Sequence, residues 1–183
     1  MLDYFLSKYP SQILRKAENI QLVVTDVDGV LTEGGLTYHD DGGESKVFNV
    51  KDGTGFAILH IGGIKTGVIT ARSSEAVKRR CMELEIEFQY HGAGDKKSAL
   101  EQLFQATGFS YHNTAYIGDD LNDGQLLENC ALGAVPSDAH FYAKELADLV
   151  LEQKGGKGAF REFADLVLYA RGSLKNAVEK YLE

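Results

Sequence analysis

Apolar positions along the chain keep two rhythms. Leu2, Phe5, Leu6, Tyr9 and Ile13 recur at helical spacing, which predicts an amphipathic helix or two short helices meeting at Pro10. Residues 20–24 then form a short β-branched run, the pattern of a strand buried on both faces. Similar runs follow at 66–70, 86–90, 115–117, 131–135 and 149–151. Helical patterns separate them. One carries Phe56, Ile58, Leu59 and Ile61 between a cap at Asp52 and a stop at Gly62-Gly63. Another carries Ala76, Val77 and Cys81 after Ser73 or Ser74, and a third Ala99, Leu100, Leu103 and Phe104 after Asp95. A fourth runs through Ala143 and Leu146 behind Ser137 or Asp138, and two helices close the chain around 163–168 and 174–182. Strands alternating with helices predict an α/β fold with a doubly wound parallel sheet, in one domain over 1–183.

One stretch breaks the alternation. Residues 33–50 hold Gly34, Gly35, Asp40, Asp41, Gly42 and Gly43 between Leu36, Tyr38, Val47, Phe48 and Val50. Short strands around a glycine-bearing polar turn predict a β-hairpin, inserted just after the first strand. Such an insertion can cover a site or meet another subunit.

Composition bounds the function. The chain has 183 residues and a net charge of -8, which argues against a nucleic-acid binder. No apolar run is long enough to span a bilayer, and there is no signal peptide, so a cytoplasmic address is expected. Cys81 and Cys130 lack metal-like spacing and read as reduced core thiols.

The chemistry gathers at strand ends. The first strand runs into Asp26-Val27-Asp28-Gly29, two carboxylates that an extended backbone points to one side, followed by a residue suited to a sharp turn. A calcium loop is excluded, because Val30 and Leu31 stand where such a loop needs an oxygen ligand and a glycine. The second strand ends in Thr70-Ala71-Arg72-Ser73, a hydroxyl before helix amides that suits an anion. After the third strand, Lys96 and Lys97 open a helix behind Asp95. The fourth strand ends in Gly118-Asp119-Asp120-Leu121-Asn122-Asp123, a second acidic cluster. With Asp26 and Asp28 it suits a hard divalent cation, Mg2+ first of all. The glycines of 155–158 resemble a phosphate loop, but no Lys-Ser/Thr ending follows and no long strand leads in. For one site to form, the first, second and fourth strands must be neighbours.

Asp26-Val27-Asp28-Gly29-Val30-Leu31-Thr32, Thr70, Lys96 and Gly118-Asp119-Asp120-x-x-Asp123, in that order, resemble the four motifs of the haloacid dehalogenase superfamily of phosphohydrolases. Gly43-Glu44-x-Lys46-x-Phe48, Lys51-Asp52-Gly53, Thr70-Ala71-Arg72 and Gly155-Gly156-x-Gly158-Ala159-x-Arg161-Glu162 are similar to the capless subfamily that hydrolyses 3-deoxy-D-manno-octulosonate (KDO) 8-phosphate. The resemblance covers roughly residues 18 to 172. It implies Asp26 as nucleophile, Asp28 as general acid and base, and Thr70 and Lys96 as phosphate ligands. It further implies Mg2+ on Asp26, the backbone carbonyl of Asp28 and Asp119, supported by Asp120 and Asp123. Lys51 and Arg72 are the candidates for the sugar carboxylate, and Lys97 is the alternative to Lys96. The subfamily more often has arginine at Lys51, glycine at Ala71 and glutamine at His91, departures that bear on which sugar is bound. Nine-carbon sugar acid 9-phosphates are the alternative substrates. In the resembled subfamily the hairpins meet at the centre of a tetramer, so a homotetramer is expected here, with Leu36, Tyr38, Val47 and Phe48 at the contact.

Two other classes compete. A receiver domain shares the acidic pocket, threonine and lysine, but its acidic pair precedes the phosphoacceptor and no Asp-Gly general acid follows. A non-catalytic oligomerisation module could lose its nucleophile without penalty, whereas this chain keeps the whole set.

Overall fold

The β-branched run before Asp26 forms the centre of a six-stranded sheet because it is apolar on both faces. In the computed structural model, which describes residues 2–183 and side chains from Tyr4 onward, β1 is Leu22–Thr25, with all four residues buried. Ile20 is buried too, but lies before the strand. The hairpin strands are β2 (Thr37–Tyr38) and β3 (Glu44–Ser45). The remaining strands are β4 (Lys65–Thr70), β5 (Phe88–His91), β6 (Thr114–Ile117), β7 (Leu132–Val135) and β8 (Leu149–Val150). The sheet runs β5-β4-β1-β6-β7-β8 and every pair is parallel. The strands ending in Asp26, Thr70 and Asp119 are therefore adjacent, as one shared site requires.

Alternate strand residues feed two cores. Val23, Val68, Ala115, Ile117, Leu132 and Ala134 face one side. There they meet α2 (Ser11–Ala17), α3 (Val50–Ile61), α4 (Glu75–Glu83), α8 (Ala159–Ala170) and α9 (Leu174–Tyr181). Leu22, Val24, Ile69, Tyr116 and Val135 face the other side, against α5 (Lys96–Thr107), α6 (Gly124–Asn129) and α7 (Phe141–Leu146). The chain start is two helices, α1 (Leu2–Lys8) and α2, with Pro10 at the N-cap of the second. Phe5, Tyr9 and Ile13 are buried and Leu6 is exposed. The side chain of Leu2, also assigned to that apolar face, lies outside the described residues.

Several caps differ from the sequence expectation. Asn49, not Asp52, caps α3, accepting from Lys51 N at 2.9 Å. Asp52 lies inside that helix, buried, and accepts from Arg161 N at 2.9 Å, so it caps the distant α8 instead. His140, not Ser137 or Asp138, caps α7. Asp138 turns away and accepts from Gly155 N at 2.9 Å. Asp95 caps α5 as expected, accepting from Ser98 N at 3.1 Å.

The hairpin is smaller than its sequence suggests: two-residue strands pairing Thr37 with Ser45 and Tyr38 with Glu44. Val50 begins α3 rather than a strand. Phe48 is half-buried, packed against the chain's own core beside Arg80. Leu36, Tyr38 and Val47 remain exposed. No helix among the described residues is long and apolar enough to cross a membrane. Cys81 and Cys130 are free and buried.

Candidate active site

The adjacent ends of β1, β4 and β6 open on a hollow of about 180 Å³, at the carboxyl edge where open α/β sheets bind ligands. Asp26, Asp28, Thr70, Ala71, Arg72, Asp119, Asp120 and Asn122 line it. Asp26 extends the β1 ladder, donating its backbone N–H to Ile117 O at 2.9 Å. The chain then turns at Gly29, whose φ of 89° is left-handed. A Cβ there would lie 2.0 Å from Asp119 Oδ2, so glycine lets the two acidic loops close on each other. From behind, Gly155 presses on the same turn: its Cβ would fall 1.8 Å from Gly29 O. Gly156 N donates to Val30 O at 2.8 Å. The glycine-rich 155–158 segment is thus a buttress for the Asp26–Gly29 loop.

Lys96 enters from the start of α5, nearly fully buried, 3.0 Å from Asp26 Oδ2 and 2.6 Å from Asp123 Oδ1. Lys97 stays at the surface beside Glu101, which decides between the two lysines. Asp123 is saturated. Its Oδ1 also accepts from Tyr116 OH at 2.5 Å, and its Oδ2 accepts from Asp119 N and Asp120 N at 3.0 and 3.2 Å. Asp120 is exposed and caps the turn that follows, accepting from Leu121 N at 2.8 Å. Thr70 is buried, and its hydroxyl accepts from Arg72 N at 3.3 Å.

Carboxylate oxygens of Asp26, Asp119 and Asp123 come within 4.8 Å of one another. Burial, then the charge of Asp123, pushes Asp26 up to about 7 against the pull of Lys96. Burial, then Asp26 and Asp123, pushes Asp119 up to about 8. Burial works to lower the Lys96 ammonium, yet Asp26 and Asp123 hold it above its ordinary value. One buried cation does not offset this crowd, and a divalent cation fits the remaining demand. Because both oxygens of Asp123 are already engaged, Asp26 and Asp119 are the carboxylates free to bind such an ion.

Asp28 faces the hairpin side. Lys46, whose side chain is fully buried, contacts Asp28 Oδ1. Lys46 also lies 3.3 Å from Glu44 Oε1, and Arg72 bonds Glu44 Oε2 and Tyr38 OH at 3.1 Å each. Arg72 Nε is 3.9 Å from Asp28 Oδ2. Arg72 therefore belongs to the site. Lys51 does not reach it within this chain: it lines a separate hollow of about 240 Å³ with Lys8, Tyr9, Lys157 and Arg161. His91 stays outside the hollow too, with Nε2 3.3 Å from Gln89 Oε1.

The sequence placed Glu44 and Lys46 in a motif and Asn122 in the acidic cluster but gave none of them a role, and Tyr116 was not singled out. Glu44 and Lys46 carried a signal, since residues two apart on an extended chain share a face, although Lys46 lies just after β3. Tyr116 carried none, being an ordinary aromatic in a buried strand.

The profile of the haloacid dehalogenase-like hydrolase family matches residues 86–161. The 3-deoxy-D-manno-octulosonate 8-phosphate phosphatase of Haemophilus influenzae is 41% identical over 158 residues, covering 86% of this chain and 88% of the relative. The Moraxella catarrhalis phosphatase of the same name, solved with magnesium, phosphate and KDO, superposes with a TM-score of 0.91 at 35% identity. That match spans 94% of this chain and 99% of the other. A cobalt-bound Haemophilus influenzae structure matches with a TM-score of 0.86 at 39% identity, over 92% and 99% of the two chains. The chain belongs to the 3-deoxy-D-manno-octulosonate 8-phosphate phosphatase family of haloacid dehalogenase-like hydrolases.

Proposed function

We propose that this chain is a Mg2+-dependent phosphomonoesterase that hydrolyses KDO 8-phosphate through an aspartyl-phosphate. The observation that carries the reading is Asp26 at the base of the hollow, beside Asp119 and on buried Lys96. Asp26 attacks phosphorus, and the bond to the sugar oxygen breaks. Asp28 protonates the departing alkoxide, then takes a proton from the water that releases phosphate from Asp26. Thr70 and Lys96 stabilise the phosphate oxygens as charge redistributes. Asp26, the carbonyl of Asp28 and Asp119 would hold Mg2+, which would supply the positive charge that lets a carboxylate approach a phosphate. Asp123 holds Lys96 and the Asp119–Asp120 backbone in register, and Asp120 supports the same loop. Arg72 takes the sugar carboxylate or a neighbouring group.

The reading includes a single catalytic domain, a cytoplasmic address and a homotetramer. Two free buried thiols agree with a reducing compartment. The tetramer is supported by exposed Leu36, Tyr38 and Val47 on a hairpin beside an open hollow. Lys51, far from its own chain's hollow, then becomes a candidate to serve a neighbour's.

Phosphate release tests the reading. KDO 8-phosphate should turn over with Mg2+ and stop under chelation, and a nine-carbon sugar acid 9-phosphate should turn over more slowly. Preference for the nine-carbon substrate would reassign the sugar, and no turnover of either would overturn the reading.

A further inference from the structure

The hairpin reaches Arg72 through Tyr38 and Glu44, and Asp28 through Lys46. Lys46 reaches in from just after β3, its side chain fully shielded from solvent, and contacts Asp28 Oδ1. A lysine so buried is uncommon and needs partners for its charge. Its partners are Asp28 and Glu44, and Glu44 also holds Arg72. Arg72 returns towards Asp28 Oδ2 at 3.9 Å. Four charges of alternating sign thus close a ring, two from the hairpin and two from the site.

We propose that Lys46 is the positioning residue for Asp28, fixing the carboxyl group so that one oxygen is anchored and the other faces the leaving group. This rests on the phosphomonoesterase reading above. Asp28 follows the nucleophile by two residues on a turning backbone, and is only half-buried. Its side chain could rotate. Lys46 contacts Oδ1, Arg72 Nε stands 3.9 Å from Oδ2, beyond hydrogen-bond reach, and Asp28 lines the hollow. A carboxylic acid that carries its proton on one oxygen still accepts a hydrogen bond on the other. The same anchor therefore serves Asp28 when it gives a proton to the sugar oxygen and when it takes one from water. Glu44 in turn keeps Lys46 from swinging out.

The test separates positioning of a proton donor from general support of the fold. A sugar alkoxide leaves poorly without a proton, whereas p-nitrophenolate leaves without one. Full-length protein with Mg2+ is assayed on KDO 8-phosphate and on p-nitrophenyl phosphate. Lys46→Met should lower kcat on the sugar phosphate by about 10²-fold and on the aryl ester by less than about 10-fold, given the usual worth of general acid assistance. KM should move little, and Lys46→Arg should recover most of the loss. In an Asp28→Asn background, Lys46→Met should add almost nothing, because the group it positions is gone. Equal losses on both esters, a full additional loss in the Asp28→Asn background, or undiminished sugar phosphate turnover would each overturn the inference. If Lys46→Met melts early, the ratio of the two esters in Lys46→Gln and Lys46→Arg carries the same comparison. Wild-type protein inactive on both esters would bring down the phosphomonoesterase reading first, a failure distinct from equal losses in the variant.

Discussion

The turn after β1 and the hairpin that follows it adjoin the same hollow, yet they are held by different physics. The turn is fixed by close approach: Gly29 under Asp119, and Gly155 against Gly29, with no room for a methyl group at either. The hairpin has two-residue strands, an exposed tip and an anchor of ion pairs through Lys46, Glu44 and Arg72. Packing tolerates little displacement and suits groups that must meet phosphorus within tenths of an ångström. Away from buried Lys46, the hairpin's ion pairs and exposed tip tolerate more, and suit a part that admits substrate or meets another subunit.

The largest effect should come from the turn. Asp26→Asn keeps side-chain size and should lower phosphate release by about 10⁴-fold or more, the scale of losing a covalent nucleophile. An unshifted thermal melt alongside would show that chemistry, not folding, was lost. Substantial turnover in Asp26→Asn would remove Asp26 from the nucleophile's role.

Gly29→Ala tests the packing itself. The added methyl collides with Asp119 and strains a left-handed residue. Activity should fall about 10²-fold, and the left-handed strain alone should cost about 1–2 kcal/mol of stability in a denaturant titration. A neutral outcome in both would mean that the turn is looser than its geometry.

The hairpin's exposed face should respond more gently. In the proposed tetramer, Val47→Asp places a charge in an apolar contact and should weaken assembly by about 2 kcal/mol. Light scattering would record smaller particles at assay concentration, with a several-fold loss of activity. Val47 is the better probe than Phe48, because Val47 is 79% exposed while Phe48 is half-buried against its own core. Wild-type protein that is monomeric and fully active would end the assembly reading.

Much of the fold was legible because its signals are local. The run before Asp26 could be read as a central strand from β-branching alone, and the adjacency of β4, β1 and β6 followed from the demand that their polar ends share a site. The Asp95 cap sits at the start of its own helix and was found there. Asp52 escaped because its partner, Arg161 N, is 109 residues away, and a search for caps looks only forward along one helix. Lys46 stood in a recognised motif but received no role, because nothing local shows that the chain folds it under Asp28. Lys51 matched a motif, yet a motif match does not say which hollow a side chain enters.

The buttress behind the Asp26–Gly29 loop has a consequence for the order in which the protein is made. The loop leaves the ribosome well before the segment that braces it, which lies more than a hundred residues later in the chain. Asn49 Nδ2 bonds Gly156 O across 107 residues of sequence. At 5–20 residues per second, that gap is on the order of ten seconds of synthesis. Through that interval the nascent polypeptide carries Asp26 and Asp28 without their brace, so competence arrives late, with the residues just before α8.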